Sequence, residues 1–106
     1  MTGKRAERIK PERQITAGFL GPGVHFTGYV VDLSETGVLV HCAQEIQPNT
    51  IGRLGIDVGS DVLRTIAVVR RKVPGIGLAF EISHMSPRNR DLLHRLLFRL
   101  GWHATW

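Results

Sequence analysis

Cysteine is all but missing from this sequence: Cys42 is the only one in 106 residues. An intrachain disulfide is therefore excluded, and the fold must rest on core packing. Aromatic residues are also scarce, at 7%, which argues against strand faces built to stack nucleic-acid bases. No apolar run approaches the roughly 20 residues that span a bilayer. The opening segment, MTGKRAERIKPER, is charged and has no apolar stretch of the kind a secretory signal needs. These absences lead us to expect a cytoplasmic chain with no membrane span. Acid is in deficit too: nine Asp and Glu face fourteen Lys and Arg, for a net charge of +5. That balance favours anionic partners, among them nucleotides and nucleic acid.

What is present is ordinary globular material, 42% hydrophobic and 22% charged, in the length of one domain. Residues 1–13 form a basic segment that reads as an extended, mobile arm, with Pro11 opposing a helix. From Ile15 the pattern turns to period two. Ile15 to Leu20 ends at the turn Gly21-Pro22-Gly23. Val24, Phe26, Gly28 and Val30 share one face of the next stretch, and His25, Thr27, Tyr29 and Val31 the other. After the turn Leu33 to Gly37, Val38, Val40 and Cys42 share a face. Leu54, Ile56 and Val58 do the same further on. A long strand covers Val62 to Val73, and Ile76, Leu78, Phe80 and Ile82 alternate after Pro74-Gly75.

The period then changes. Ser86 can cap a helix that starts at Pro87. Leu92, Leu93, Leu96, Leu97 and Leu100 recur at helical spacing, and Gly101 can stop the helix. Six short strands and one amphipathic helix point to a small β-barrel or sandwich whose mouth or edge the leucines cover. The expected division is an arm over residues 1–13, the barrel and helix over 14–101, and a tail over 102–106.

Chemistry for catalysis is not evident. There are no paired carboxylates at useful spacing, no Ser-His-Asp arrangement and no phosphate-cradling loop. His41 and Cys42 are adjacent on a strand, so they point to opposite faces and cannot share a tetrahedral metal. We expect neither enzyme activity nor a bound cofactor or metal. Arg70, Arg71 and Lys72 read as a solvated strand end.

At Asp32-Leu33-Ser34-Glu35-Thr36-Gly37 the sequence resembles the PilZ domain family, which carries an Asp/Asn-x-Ser-x-x-Gly turn between two strands. Gly75-Ile76-Gly77-Leu78-Ala79-Phe80 is similar to the family's Gly-x-Gly-x-x-Phe strand, and the terminal helix is expected as well. The resemblance implies a mainly β fold, a six-stranded antiparallel PilZ-type barrel with a C-terminal amphipathic helix. It also implies a ligand, cyclic di-GMP, held between the Asp-x-Ser-x-x-Gly turn and an Arg-x-x-x-Arg motif in the preceding arm. Asp32, Ser34 and Gly37 match the turn. Arg13 is taken as the second arginine, which puts Ile9 where the first should stand. Arg8 lies one residue early, while Lys4-x-x-x-Arg8 has the family spacing farther from the strand. The implied ligand residues are Arg8, Arg13, Asp32, Ser34 and Gly37.

Three functions stay open at this stage. The first is a cyclic di-GMP receptor and adaptor that changes its contacts with an unidentified bacterial protein. The second is a degenerate PilZ interaction module that no longer binds the nucleotide. The third, weakened by the few aromatics, is a small nucleic-acid-binding barrel.

Overall fold

The computed structural model describes residues 7–101. Six strands run in order: β1 (Thr16–Gly21), β2 (Val24–Leu33), β3 (Gly37–His41), β4 (Ile51–Asp57), β5 (Val62–Val73) and β6 (Gly77–His84). One helix, α1 (Pro87–Arg99), follows. The strands close into an antiparallel barrel in the order β1-β2-β3-β6-β5-β4. Closure leaves no strand edge exposed, which removes the main aggregation liability of a small sheet.

The alternating residues fill the barrel. Phe19, Phe26, Val38, Val40, Leu54, Ile56, Leu63, Val69, Leu78 and Phe80 are buried in one cluster. Phe19 stacks at a tilt on both Phe26 and Phe80, with centroids 5.8 and 5.0 Å away, the offset geometry that ring quadrupoles favour. Leu93, Leu96 and Leu97 of α1 join the same cluster, so the helix stripe closes the core. Ser86 caps α1 by accepting from the Asn89 N–H, Pro87 opens the helix, and Gly101 sits beyond its end at φ 106°. Such a positive φ suits glycine, which lacks a Cβ to clash.

Two expectations need correction. Ile76 is not part of the alternating strand. It lies in the Val73–Gly77 turn with 37% of its surface exposed, because β6 begins at Gly77, where the Pro74-Gly75 turn ends. The strict alternation of β2 also breaks. Val30 pairs with Val40, but Asp32 pairs with Leu39, so Val31 is an extra residue, a β-bulge. The bulge shifts the phase of the strand, which re-aims the residues after it. Leu33 enters the core with no exposed surface, and Asp32 is released to the outside.

Candidate functional site

The β2–β3 turn is built around Ser34, which is 1% exposed. Its hydroxyl oxygen accepts from the N–H groups of Thr36 and Gly37, each at 3.2 Å. The Ser34 N–H donates to the Gly37 carbonyl at 2.9 Å. A short hydroxyl that bonds backbone two and three residues on is the usual way serine fixes a tight turn. Gly37 is buried, and a Cβ there would come within 3.0 Å of the Phe80 carbonyl oxygen and 3.4 Å of an Arg8 guanidinium nitrogen. The close Phe80 carbonyl favours glycine here, and the Arg8 guanidinium lies over this end of the turn.

Arg8 reaches the turn because its neighbour Ile9 is tied down. Ile9 exchanges two backbone hydrogen bonds with Leu33, at 2.8 and 3.0 Å, and its side chain packs against the core. The segment expected as a free arm is thus bridged to β2 at this one residue. The next residue back then faces Asp32. Arg8 Nε donates to Asp32 Oδ1 at 2.6 Å, and Nη2 forms an ion pair with the same oxygen. The Asp32 side chain is 14% exposed and that of Arg8 45%. Screening by water limits the strength of such a half-exposed pair, but the geometry is charge-assisted and directional.

Four of the five residues singled out in the sequence therefore converge: Arg8, Asp32, Ser34 and Gly37. Arg13 does not join them; it is exposed in the bend before β1 and makes no ion pair among the described residues. Lys4 and Arg5 lie outside the described residues, as do Trp102 and Trp106. Sequence reasoning missed three contributors. Ile9 anchors the arm, which its place in a charged segment hid. Glu35, inside the turn, binds His94 of α1 at 3.0 Å, linking the turn to the helix. Arg70 reaches Glu81 and Asn49, and Glu81 is the cross-strand partner of Gly37. Arg70 is thus tied to an acid on β6 while half of its side chain stays exposed.

A closed six-stranded barrel, a terminal helix and an Asp-x-Ser-x-x-Gly turn covered by an arginine define a PilZ-type domain. The family model for the PilZ domain matches residues 4–99, and the chain belongs to the PilZ domain family. No curated protein sequence matches it. Among solved structures it is similar to YcgR of Escherichia coli in complex with c-di-GMP, with a TM-score of 0.76 and 21% identity over 92% of this chain and 45% of that one. It is similar to the PilZ domain of CeSA from a cellulose-synthesizing bacterium, with a TM-score of 0.70 and 21% identity over 92% of this chain and 100% of that domain. It is also similar to the motility inhibitor MotI of Bacillus subtilis, with a TM-score of 0.72 and 19% identity over 91% of this chain and 50% of that one. The chain thus spans about half the length of the Bacillus and Escherichia proteins. PilZ domains are ligand-binding and adaptor domains, not enzymes. Among the described residues no helix is long and apolar enough to cross a membrane.

Proposed function

We propose that this chain is a cyclic di-GMP receptor domain that works as an adaptor in the cytoplasm. The observation that carries the reading is the Arg8 guanidinium seated on Asp32 and over Gly37. Guanine presents O6 and N7 acceptors that an arginine fork grips bidentately, a contact worth about 1–3 kcal/mol of discrimination. A carboxylate oxygen only accepts, so Asp32 can accept hydrogen bonds from the guanine N1–H and amino group. The planar guanidinium can also stack on the base, which an ammonium does poorly.

The same geometry supports a shifted register for the arginine motif. With Arg8 beside the turn, the position four residues earlier is Lys4, not Ile9. The motif reads Lys-x-x-x-Arg over 4–8, and Ile9 is free to anchor the arm. Lys4 supplies charge for a phosphate but no fork for a guanine edge. Arg70, paired with the Glu81 that stands opposite Gly37, offers a guanidinium from the barrel instead. Ligand capture would draw Arg8 partly off Asp32 and settle the arm on the nucleotide. Through the Glu35–His94 contact the turn also touches α1, where a protein partner could sense the change.

Calorimetric titration of cyclic di-GMP, with GTP as control, tests this. Saturable heats for the cyclic dinucleotide, lost in Asp32→Ala, are expected. Flat heats with the wild-type chain would overturn the receptor reading and leave an interaction module that has kept the fold without the ligand.

A further inference from the structure

The barrel carries a second concave face. Strand β4 stands three strands away from β3 by either route round the closed barrel, so the outer surface around it lies across from the Asp32–Gly37 turn. There an open furrow of about 550 Å³ runs over β1, β4 and β5, within the size range of small-molecule sites.

Its floor is bare backbone. Gly18 of β1 and Gly55 of β4 are direct cross-strand partners, and so leave two adjacent gaps in the outward carpet of side chains. These two glycines differ from others in the strands. At Gly28, Gly52 and Gly77 an added Cβ would come within 2.3, 2.5 and 1.9 Å of a neighbouring atom, so packing demands glycine. At Gly18 the nearest atom would be 3.7 Å away, and at Gly55 only a Val62 methyl would lie close, at 3.3 Å. Glycine inside a strand costs about 0.5–1 kcal/mol relative to alanine. A strand glycine that internal packing does not require often marks a bulge, a barrel bend or a place that a ligand or another backbone approaches closely.

The walls are cationic. Arg53 pairs across strands with Ile66, two residues from Arg64, so the two arginines are diagonal neighbours on one face. Arg8, Arg70, Lys72, Arg88 and Arg95 each hold a carboxylate. The side chains of Arg53 and Arg64 make no ion pair or hydrogen bond among the described residues. No Asp or Glu lines the furrow. The nearby Asp61 feels Arg64, but it is engaged by Arg88 and the Val62 N–H. The first turn of α1 is pinned at the rim by Asn89, which accepts from the Arg64 N–H at 2.9 Å and donates to Ser86 at 2.8 Å. That places the positive end of the helix dipole beside the arginines. Leu20, 54% exposed, supplies an apolar wall next to Arg53.

We propose that this furrow binds a phosphate monoester that also bears a planar ring, the chemistry of a nucleoside 5′-monophosphate. The phosphate sits between Arg53 and Arg64, whose forks match its oxygens. The ring lies on the Gly18–Gly55 backbone against Leu20. A small molecule fits better than an extended peptide, because every strand here is already paired on both sides and offers no edge for strand addition.

The test is an amide NMR titration of the full chain with 5′-AMP, phenyl phosphate and inorganic phosphate. Saturable shifts of the Gly18 and Gly55 amides by 5′-AMP and phenyl phosphate are expected, with inorganic phosphate clearly weaker. Arg53→Ala and Arg64→Ala should each weaken binding about tenfold or more. Gly18→Ala, whose Cβ would meet nothing nearer than 3.7 Å, should raise the floor, weaken binding and keep the melting temperature. No furrow shifts up to about 10 mM ligand, undiminished binding in the Arg53→Ala/Arg64→Ala double variant, or shifts confined to Asp32–Gly37 would each overturn the proposal. Inorganic phosphate binding as tightly as 5′-AMP and phenyl phosphate would also overturn it. Arg8→Ala, run alongside, should leave the furrow shifts intact, so this site and the cyclic di-GMP reading can fail separately.

Discussion

The two faces of the barrel use arginine in opposite ways. Beside the β2–β3 turn, Arg8 is held by Asp32, and nearby Arg70 by Glu81. Across the barrel, Arg53 and Arg64 stand with no acid of their own in the furrow. Internal pairing positions a guanidinium before any ligand arrives, at the cost of a competition with the resident carboxylate. Unpaired arginines face no such competition, but they repel each other until an anion comes. The glycines divide in a parallel manner. Gly37 and Gly28 are dictated by close atoms, Gly18 is not. Charge pairing therefore separates a face organised by the protein's own contacts from one left open.

The largest effect that would break this contrast is structural. Gly28→Ala would push a Cβ to 2.3 Å from the His41 carbonyl oxygen, and overpacking of this kind costs about 3 kcal/mol. Gly18→Ala should be neutral or stabilising by roughly 0.5 kcal/mol. Urea denaturation of both variants measures the difference; equal losses would show that Gly18 too is held by packing. Next comes ligand affinity. Arg8→Ala should weaken cyclic di-GMP binding about tenfold to a hundredfold, the range of one lost bidentate contact. Arg13→Ala should have the smaller effect. Calorimetry that ranked Arg13 above Arg8 would restore the register with Ile9 at the first motif position.

A smaller change is expected at the turn itself. Ser34→Ala removes the acceptor for two N–H groups in a buried site, which should lower stability by about 1–2 kcal/mol, read as a fall in the urea midpoint. Smallest is an acid-range effect at Asp61. The Val62 N–H and then the Arg88 guanidinium hold its carboxyl below the ordinary 3.8. A depressed folded-state pKa stabilises the fold above the unfolded-state value and loses that contribution as pH falls through the folded one. Melting curves from about pH 5 downward should therefore fall less steeply in Asp61→Asn than in the wild type. An unchanged slope would show that the contact adds nothing.

Period-two patterning was enough to set out six strands, because each inward residue has to be apolar and each turn needs its Gly, Pro or Asn. The leucine spacing and the Ser86-Pro87 start did the same for α1. The Asp-x-Ser-x-x-Gly turn was legible for a related reason: its residue types are required locally, within six positions. The arginine register was not. Read along the chain, Arg13 is the residue next to the first strand, and nothing in the sequence tells that Ile9 would pair with Leu33 and pack on the core. That pairing spans 24 residues and depends on where the barrel places β2.

The bulge at Val31 was hidden for the same reason. Alternation read along β2 alone takes no account of two residues standing opposite one on β3. The furrow is further still from the linear sequence. Gly18 and Gly55, like Arg53 and Arg64, become neighbours only when β1 closes on β4 and β4 on β5. The sequence by itself determined the elements, the core and the turn, since local spacing decides which side chains can face inward. Only the closed barrel decided which arginine meets Asp32 and which arginines make no ion pair among the described residues, since such meetings are set by strand register between residues distant in the chain.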